Sequence, residues 1–150
     1  MEDELFHADI TKGITVQGLD NSAAQLVPEN SIAVVTHVGV GKLVYLPFPY
    51  STSQDFVSLS DLWGDASFLC YSLHGKLRSE LYMVQGSAIK GITKDELLAK
   101  SLGSPCCEEQ QVIGALFRKL DSLITLHQRE QLWGTQNAPV LPTGRSLLPR

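Results

Sequence analysis

The chain has 150 residues, of which 43% are hydrophobic, and a formal net charge of −4. This length supports one domain with a hydrophobic core plus an appendage. No apolar run is long enough to span a bilayer, and the acidic N-terminus lacks the basic and apolar regions of a signal peptide. We therefore expect a cytoplasmic protein with no membrane partner.

The charge is unevenly distributed along the chain. Residues 1–60 carry seven acids and two lysines, whereas residues 61–150 carry nine acids and ten basic residues. This balance argues against binding nucleic acid by bulk positive charge. Any DNA contact is expected to be local and to depend on a partner that supplies much of the phosphate binding.

The first 60 residues are predicted to form short strands separated by turns. Residues 1–11 are polar, lack a clear periodicity and are expected to be frayed. Glycines in residues 38–42 predict a turn between two strands rich in β-branched residues. The predicted strands are Gly13–Gly18, Ile32–Thr36, Leu43–Leu46 and Phe56–Leu59.

Helical spacing dominates the rest of the chain. Residues 66–81 are predicted to form a helix capped by Asp65, and Thr93 is predicted to cap a short helix through Lys100, with Glu96 as its capping-box partner. Residues 85–91 read as a loop. One long helix is predicted from about Glu108 to about Trp133. The proline-rich residues 134–150 are predicted to be a disordered tail.

The long helix carries a regular apolar seam. Its members follow spacings of 3, 4, 3 and 4 and therefore share one face: Ile113, Leu116, Leu120, Leu123 and His127. A rod of this length on a short chain favours docking to another helix. A C-terminal helix packed on its own sheet remains the alternative. Gly114 is the local flaw, costing about 1 kcal/mol relative to alanine.

Motifs for catalysis and metal binding are absent from the sequence. The turn at residues 38–42 departs from both the P-loop and the dinucleotide fingerprint, and the four histidines lack metal-ligand spacing. Three cysteines without a C-x-x-C pair predict reduced thiols. Cys106 and Cys107 precede a helix whose field could lower a thiol pKa, so a small cysteine-dependent enzyme remains the alternative of another class.

Four segments, in order, resemble one family. Residues 19–36, residues 38–42 with 51–56, residues 85–94 (QGSAIKGITK) and residues 108–129 are similar to motifs of the specificity subunits of type I restriction–modification systems. The last segment resembles the start of that family's spacer helix. The resemblance implies an α+β fold, with a small mixed β-sheet followed by one long C-terminal α-helix. The implied domains are a partial target-recognition domain (1–103), a spacer helix (104–133) and the tail (134–150).

The resemblance also implies a function. Such a subunit recognises double-stranded DNA and catalyses nothing itself. Methyltransferase subunits bring S-adenosylmethionine, and a restriction subunit brings ATP hydrolysis with Mg²⁺, so this chain is expected to hold no cofactor. A half-length subunit can pair with itself or with another half-subunit. A truncated remnant or recombination cassette of such a subunit is the alternative.

Candidate DNA-binding residues are chosen by physical role on the glycine-flanked and polar loops. Amide and hydroxyl groups can pair with base edges, and lysines suit phosphates. The candidates are His37, Lys42, Ser53, Gln54, Asp55, Gln85, Ser87, Lys90 and Lys94. The seam residues of the long helix are the candidate docking surface, and no metal ligands are proposed.

Overall fold

The computed structural model describes residues 5–8, 13–37, 39–83 and 91–136. The chain divides into two compact units, Met1–Phe117 and Arg118–Arg150. The predicted α+β class is confirmed. The elements are α1 (Val16–Asp20), β1 (Gln25–Val27), β2 (Ser31–Val35), β3 (Leu43–Leu46), β4 (Tyr50–Thr52), β5 (Phe56–Leu59), α2 (Ala66–Met83), α3 (Lys94–Leu98) and α4 (Cys107–Gln136). No helix in these ranges is long and apolar enough to cross a membrane.

Two small antiparallel sheets form the β part of the first unit. The three-stranded sheet has the order β3-β2-β5, with Ile32 opposite both Tyr45 and Leu59. The central strand β2 is buried along most of its length because both faces are covered, as its β-branched sequence predicts. A two-stranded ribbon pairs β1 with β4. The glycine turn between β2 and β3 is confirmed, and Gly39 and Gly41 take positive φ angles there.

The hydrophobic core lies between the three-stranded sheet and α2. Val34, Leu73 and Leu77 are among its buried members. The expectation that residues 1–11 are frayed is wrong for the part that the structure describes. Leu5 is buried in the core, and its backbone oxygen accepts a 2.8 Å hydrogen bond from the N–H of Tyr45. The acids around Leu5 favoured a frayed end, whereas the apolar pair that it forms with Phe6 anchors the segment.

The strand predicted at Gly13–Gly18 is wrong, because residues 16–20 form the short helix α1. Thr15 caps this helix through a 3.1 Å hydrogen bond from the N–H of Gly18 to its hydroxyl. The consecutive β-branched residues 14–16 favoured a strand, but the local capping bond favours the helix. The sequence also left β1 and β4 unpredicted, since each is only three residues long and is stabilised by pairing with the other.

The predicted helix caps are confirmed. Asp65 Oδ1 accepts a 2.8 Å hydrogen bond from the N–H of Phe68 at the start of α2. Thr93 and Glu96 form a reciprocal capping box at α3, which ends at Leu98 rather than Lys100. The ammonium group of Lys100 instead pairs with the carboxylate of Glu80 on α2.

The first turns of α4 are fixed to the start of α2 by a buried glutamine. Gln110 is 1% exposed, and its Oε1 accepts a 3.0 Å hydrogen bond from the N–H of Asp65. Its Nε2 donates to the backbone oxygen of Pro105 at 3.0 Å. A Cβ on Gly114 would overlap the Asp65 carboxylate, so the apparent flaw in the helix permits a close approach.

Helix α4 extends to Gln136, three residues beyond the predicted end at Trp133. The rest of the predicted tail, residues 137–150, lies outside the described residues, as does the loop predicted at residues 85–90.

Candidate nucleic-acid interface

An open groove of about 700 Å³ runs across the first unit between three segments of the chain. Its lining residues come from the β1–β4 ribbon and its flanks, from β5 with the end of β2, and from the segment 91–94. Its lining is mixed polar and apolar: Ala23, Gln25, Leu26, Val27, Pro28, Thr36, His37, Thr52, Ser53, Gln54, Phe56, Val57, Ser58, Ser60, Gly91, Ile92, Thr93 and Lys94. Loops distant in sequence therefore contribute to one concave surface.

Thr36 holds the groove-lining segments together at the end of β2. It is 3% exposed, and both its N–H and its hydroxyl donate to the backbone oxygen of Asp55, each at 2.9 Å. Its own backbone oxygen accepts a 2.9 Å hydrogen bond from the N–H of Ile92. A Cβ on Gly91 would lie 2.5 Å from that oxygen, so only glycine fits without displacement. The loop after β4 and the segment before α3 are thus fixed to the same residue.

The start of α3 places Lys94 on the rim of the groove. Thr93 precedes it, and the backbone N–H of Thr93 donates a 2.8 Å hydrogen bond to the Glu96 carboxylate. That backbone hydrogen bond, with a second one from the Thr93 hydroxyl, holds the pKa of Glu96 below its usual value. The capping box therefore fixes the backbone from which the Lys94 side chain extends.

Four of the nine sequence-predicted DNA-binding residues line the groove, namely His37, Ser53, Gln54 and Lys94. Asp55 stands beside it, with its Oδ1 3.7 Å from His37 Nδ1. Lys42 is exposed on the turn between β2 and β3, away from the groove lining. The remaining candidates, Gln85, Ser87 and Lys90, lie outside the described residues.

The groove also contains residues that the sequence did not single out. Leu26 and Phe56 are 68% and 38% exposed, and both line it. Thr36 carried no signal because its partners lie 19 and 56 residues away along the chain. Gly91 belongs to the sequence motif at residues 85–94. A glycine next to a basic residue was the one local signal in that motif that could have indicated a close approach of the backbone.

The candidate docking residues of α4 differ in their surroundings. Ile113 is partly buried against the core of the first unit. Leu116, Leu120 and Leu123 are exposed, with Leu120 at 43%. His127 is also exposed, and its Nε2 lies 2.9 Å from the Gln131 side-chain nitrogen.

Cys106 precedes α4 as predicted, whereas Cys107 is the first residue of that helix. Cys106 and Cys107 are free and exposed at the start of α4, whereas Cys70 is free and buried. Within the part of the chain that the structure describes, no three potential metal ligands come together.

Comparison with known proteins identifies the family to which the chain belongs. The family model of the type I restriction modification DNA specificity domain matches residues 4–132, and the chain belongs to this family. The family predicted from the four sequence motifs is therefore confirmed.

The fold has a counterpart among solved structures. A chain from a structure of the type I R-M system, described for its complex assembly and conformational transition, is 20% identical with a TM-score of 0.59. The match covers 72% of this chain and 27% of that chain, so this chain spans about a quarter of its neighbour's length. At this identity the likeness concerns the fold. No curated protein matches the sequence significantly.

Proposed function

We propose that the chain recognises double-stranded DNA as part of the specificity subunit of a type I restriction–modification complex. The observation that supports this most is the groove that collects His37, Ser53, Gln54 and Lys94 from three separate segments. An amide, a hydroxyl, an imidazole and an ammonium are the groups that proteins use on base edges and phosphates. The family membership supplies the class of target.

The polar side chains of the groove are of two kinds, those suited to base edges and those suited to phosphates. The Gln54 amide has both donors and acceptors and is exposed on the loop after β4, so it is assigned to a base edge. Lys94 is a point charge on the rim and is assigned to a phosphate. Among the described lining residues Lys94 is the one lysine or arginine, so partner subunits are expected to supply most of the phosphate contacts.

The exposed leucines of α4 are assigned to subunit contacts. Leu116, Leu120 and Leu123 repeat at helical spacing, and each exposes about half of its side chain. We assign this face to a second spacer helix and to a methyltransferase subunit, the second helix coming from another copy of this chain or from another half-subunit. In this assignment the chain is non-catalytic. S-adenosylmethionine, ATP and Mg²⁺ belong to the partner subunits, including the restriction subunit reached through the complex.

Salt-dependent DNA binding tests the division of labour within the groove. The complex with methyltransferase subunits is titrated with a duplex that it selects from a randomised library. Gln54→Ala is expected to weaken binding about tenfold and to relax one target position without changing the salt dependence. Lys94→Ala is expected to weaken all sequences equally and to reduce the slope of log K against log salt by about 1.

Gln111→Ala, an exposed residue of α4 outside the groove, is the matched control and is expected to bind as wild type. Equal binding by wild type, Gln54→Ala and Lys94→Ala would refute the assignment of the groove to DNA.

Co-purification with a methyltransferase subunit tests the assignment of α4. Leu120→Asp is expected to abolish the association and to leave the melting of the first unit unchanged. Ser122→Asp is the control, because it adds the same charge to an exposed position off the seam. Unchanged association of Leu120→Asp would count against the docking surface.

A further inference from the structure

The imidazole ring of His37 is held on one edge by a chain of hydrogen bonds. Thr36 Oγ1 lies 3.1 Å from His37 Nδ1 and 2.9 Å from the backbone oxygen of Asp55. A carbonyl oxygen can only accept, so the single hydroxyl proton of Thr36 is donated to Asp55. The hydroxyl oxygen then offers only lone pairs to the ring. His37 Nδ1 must therefore carry the ring proton and donate it.

The electrostatics around the ring agree with this tautomer. The Asp55 carboxylate stands 3.7 Å from the same Nδ1, so a second acceptor faces the protonated edge. In the neutral ring the lone pair is then on Nε2, since the bond made by one ring nitrogen fixes the role of the other. No described residue hydrogen-bonds Nε2. The side chain is 61% exposed and lines the groove.

The open edge of the ring is also sterically accessible. Gly91 packs against this part of the groove, and a Cβ there would lie 3.6 Å from Cδ2, the carbon next to Nε2. Glycine at this position therefore places no side-chain atom against this part of the ring. The groove thus presents a fixed hydrogen-bond acceptor on a residue whose orientation is set by Thr36 and Asp55.

We infer, on the basis of the proposed function, that His37 determines specificity by accepting a hydrogen bond at Nε2 from the exocyclic amino group of a target base. Phosphate oxygens are acceptors, so they cannot bind a lone pair, and the DNA backbone is not the partner of the neutral ring. The donors that DNA offers are adenine N6 and cytosine N4 in the major groove and guanine N2 in the minor groove. The ligand class is therefore a base amino group.

A double-mutant cycle across the interface tests the inference. The full chain with its methyltransferase subunits selects a duplex from a randomised library. Single amino groups of that duplex are then deleted by replacing adenine with purine, cytosine with 2-pyrimidinone, or guanine with hypoxanthine. One deletion is expected to weaken wild-type binding about five- to tenfold at pH 8. His37→Ala is expected to bind the intact duplex more weakly than wild type by the same factor. On the duplex that lacks this amino group, His37→Ala and wild type are expected to bind equally.

Two further variants distinguish the loss of a hydrogen bond to the base from a structural disturbance of the groove. His37→Phe retains a ring without the acceptor and is expected to behave as His37→Ala does. Thr36→Val retains the buried shape but removes the hydroxyl that fixes the tautomer, so the coupling is expected to fall while binding persists. Ile32→Val, a small buried truncation in the adjoining strand β2, is the control and is expected to retain full coupling.

The outcomes of these experiments distinguish this inference from the function on which it rests. If all three amino deletions act additively with His37→Ala, the base-reading role is refuted while DNA recognition stands. If His37→Phe retains the wild-type coupling, the acceptor assignment is refuted. If the library yields no enriched sequence, the proposed function itself fails.

Discussion

The same substitution at two helix-interior glycines is expected to change stability in opposite directions. Gly75 lies in α2, and an added Cβ there would meet no atom within 4 Å, so Gly75→Ala gains helix propensity without a clash. Unfolding is expected to require about 0.5–1 kcal/mol more free energy. Gly114→Ala gains the same propensity in α4, but its Cβ would overlap Asp65 Oδ1 and stand 2.9 Å from the backbone nitrogen of Phe68.

The loss at Gly114 follows from those contacts. Overpacking a close contact costs about 1–3 kcal/mol, and displacing the Asp65 carboxylate weakens the cap of α2 by about 1 kcal/mol. After subtracting a propensity gain of about 1 kcal/mol, Gly114→Ala is expected to be destabilised by about 1–3 kcal/mol. At roughly 4 °C per kcal/mol for a domain of this size, its Tm falls by about 4–12 °C.

Thermal and urea unfolding, followed by circular dichroism, measure both variants against wild type. Gly75→Ala serves as the control for helix propensity, because it differs from Gly114→Ala only in its surroundings. A Gly114→Ala variant as stable as wild type would refute the close approach of α4 to the start of α2.

The remaining predictions concern a buried amide, an acid-sensitive cap and the approach of the segment before α3. Gln110→Ala is expected to destabilise the protein by about 2–3 kcal/mol in urea, since the buried amide loses its hydrogen bonds to Asp65, Ser104 and Pro105. Gln111→Ala is expected to stay within about 0.5 kcal/mol of wild type, and equal values for the two variants would contradict the anchoring role. The pKa of Glu96 is lower in the folded protein than in the unfolded chain, so its carboxylate stabilises the fold above the unfolded pKa and this stabilisation is lost as pH falls through the folded pKa. The Tm difference between wild type and Glu96→Gln is therefore expected to narrow from pH 7 to pH 3. A Tm difference that stays constant would contradict the role of the capping box. Gly91→Ala is expected to reduce DNA affinity severalfold with little loss of Tm, because its Cβ pushes the segment away from the end of β2; wild-type affinity in a filter-binding titration would contradict this.

The sequence predicted elements best where the signal is local. The strand around Val34 is a run of β-branched residues, and Thr93 with Glu96 is a four-residue capping signal, so each was found without knowledge of the fold. It failed at β1 and β4, because three-residue strands carry too little pattern and exist through their mutual pairing. It failed at Leu5 because burial depends on a distant strand that covers the residue.

The candidate site was also predicted only in part, because some of its residues carry a local signal and others depend on distant contacts. Gln54 and Lys94 were chosen because amide and ammonium groups on loops suit DNA, and the structure brings them to one groove. The residue that joins their segments, Thr36, could not be chosen, since its hydrogen bonds span 19 and 56 residues. Gly114 was read as a flaw because its helix propensity is a local property, whereas its use lies in contact with another helix.

The sequence by itself determined the family, the long amphipathic helix and the chemical types available for recognition, because motif order, helical periodicity and side-chain chemistry are all written in the linear chain. Only the tertiary structure decided which of those side chains share a groove, which atoms contact the His37 ring, and where α4 is anchored. These properties depend on hydrogen bonds and steric contacts between residues far apart in sequence, which no local pattern encodes.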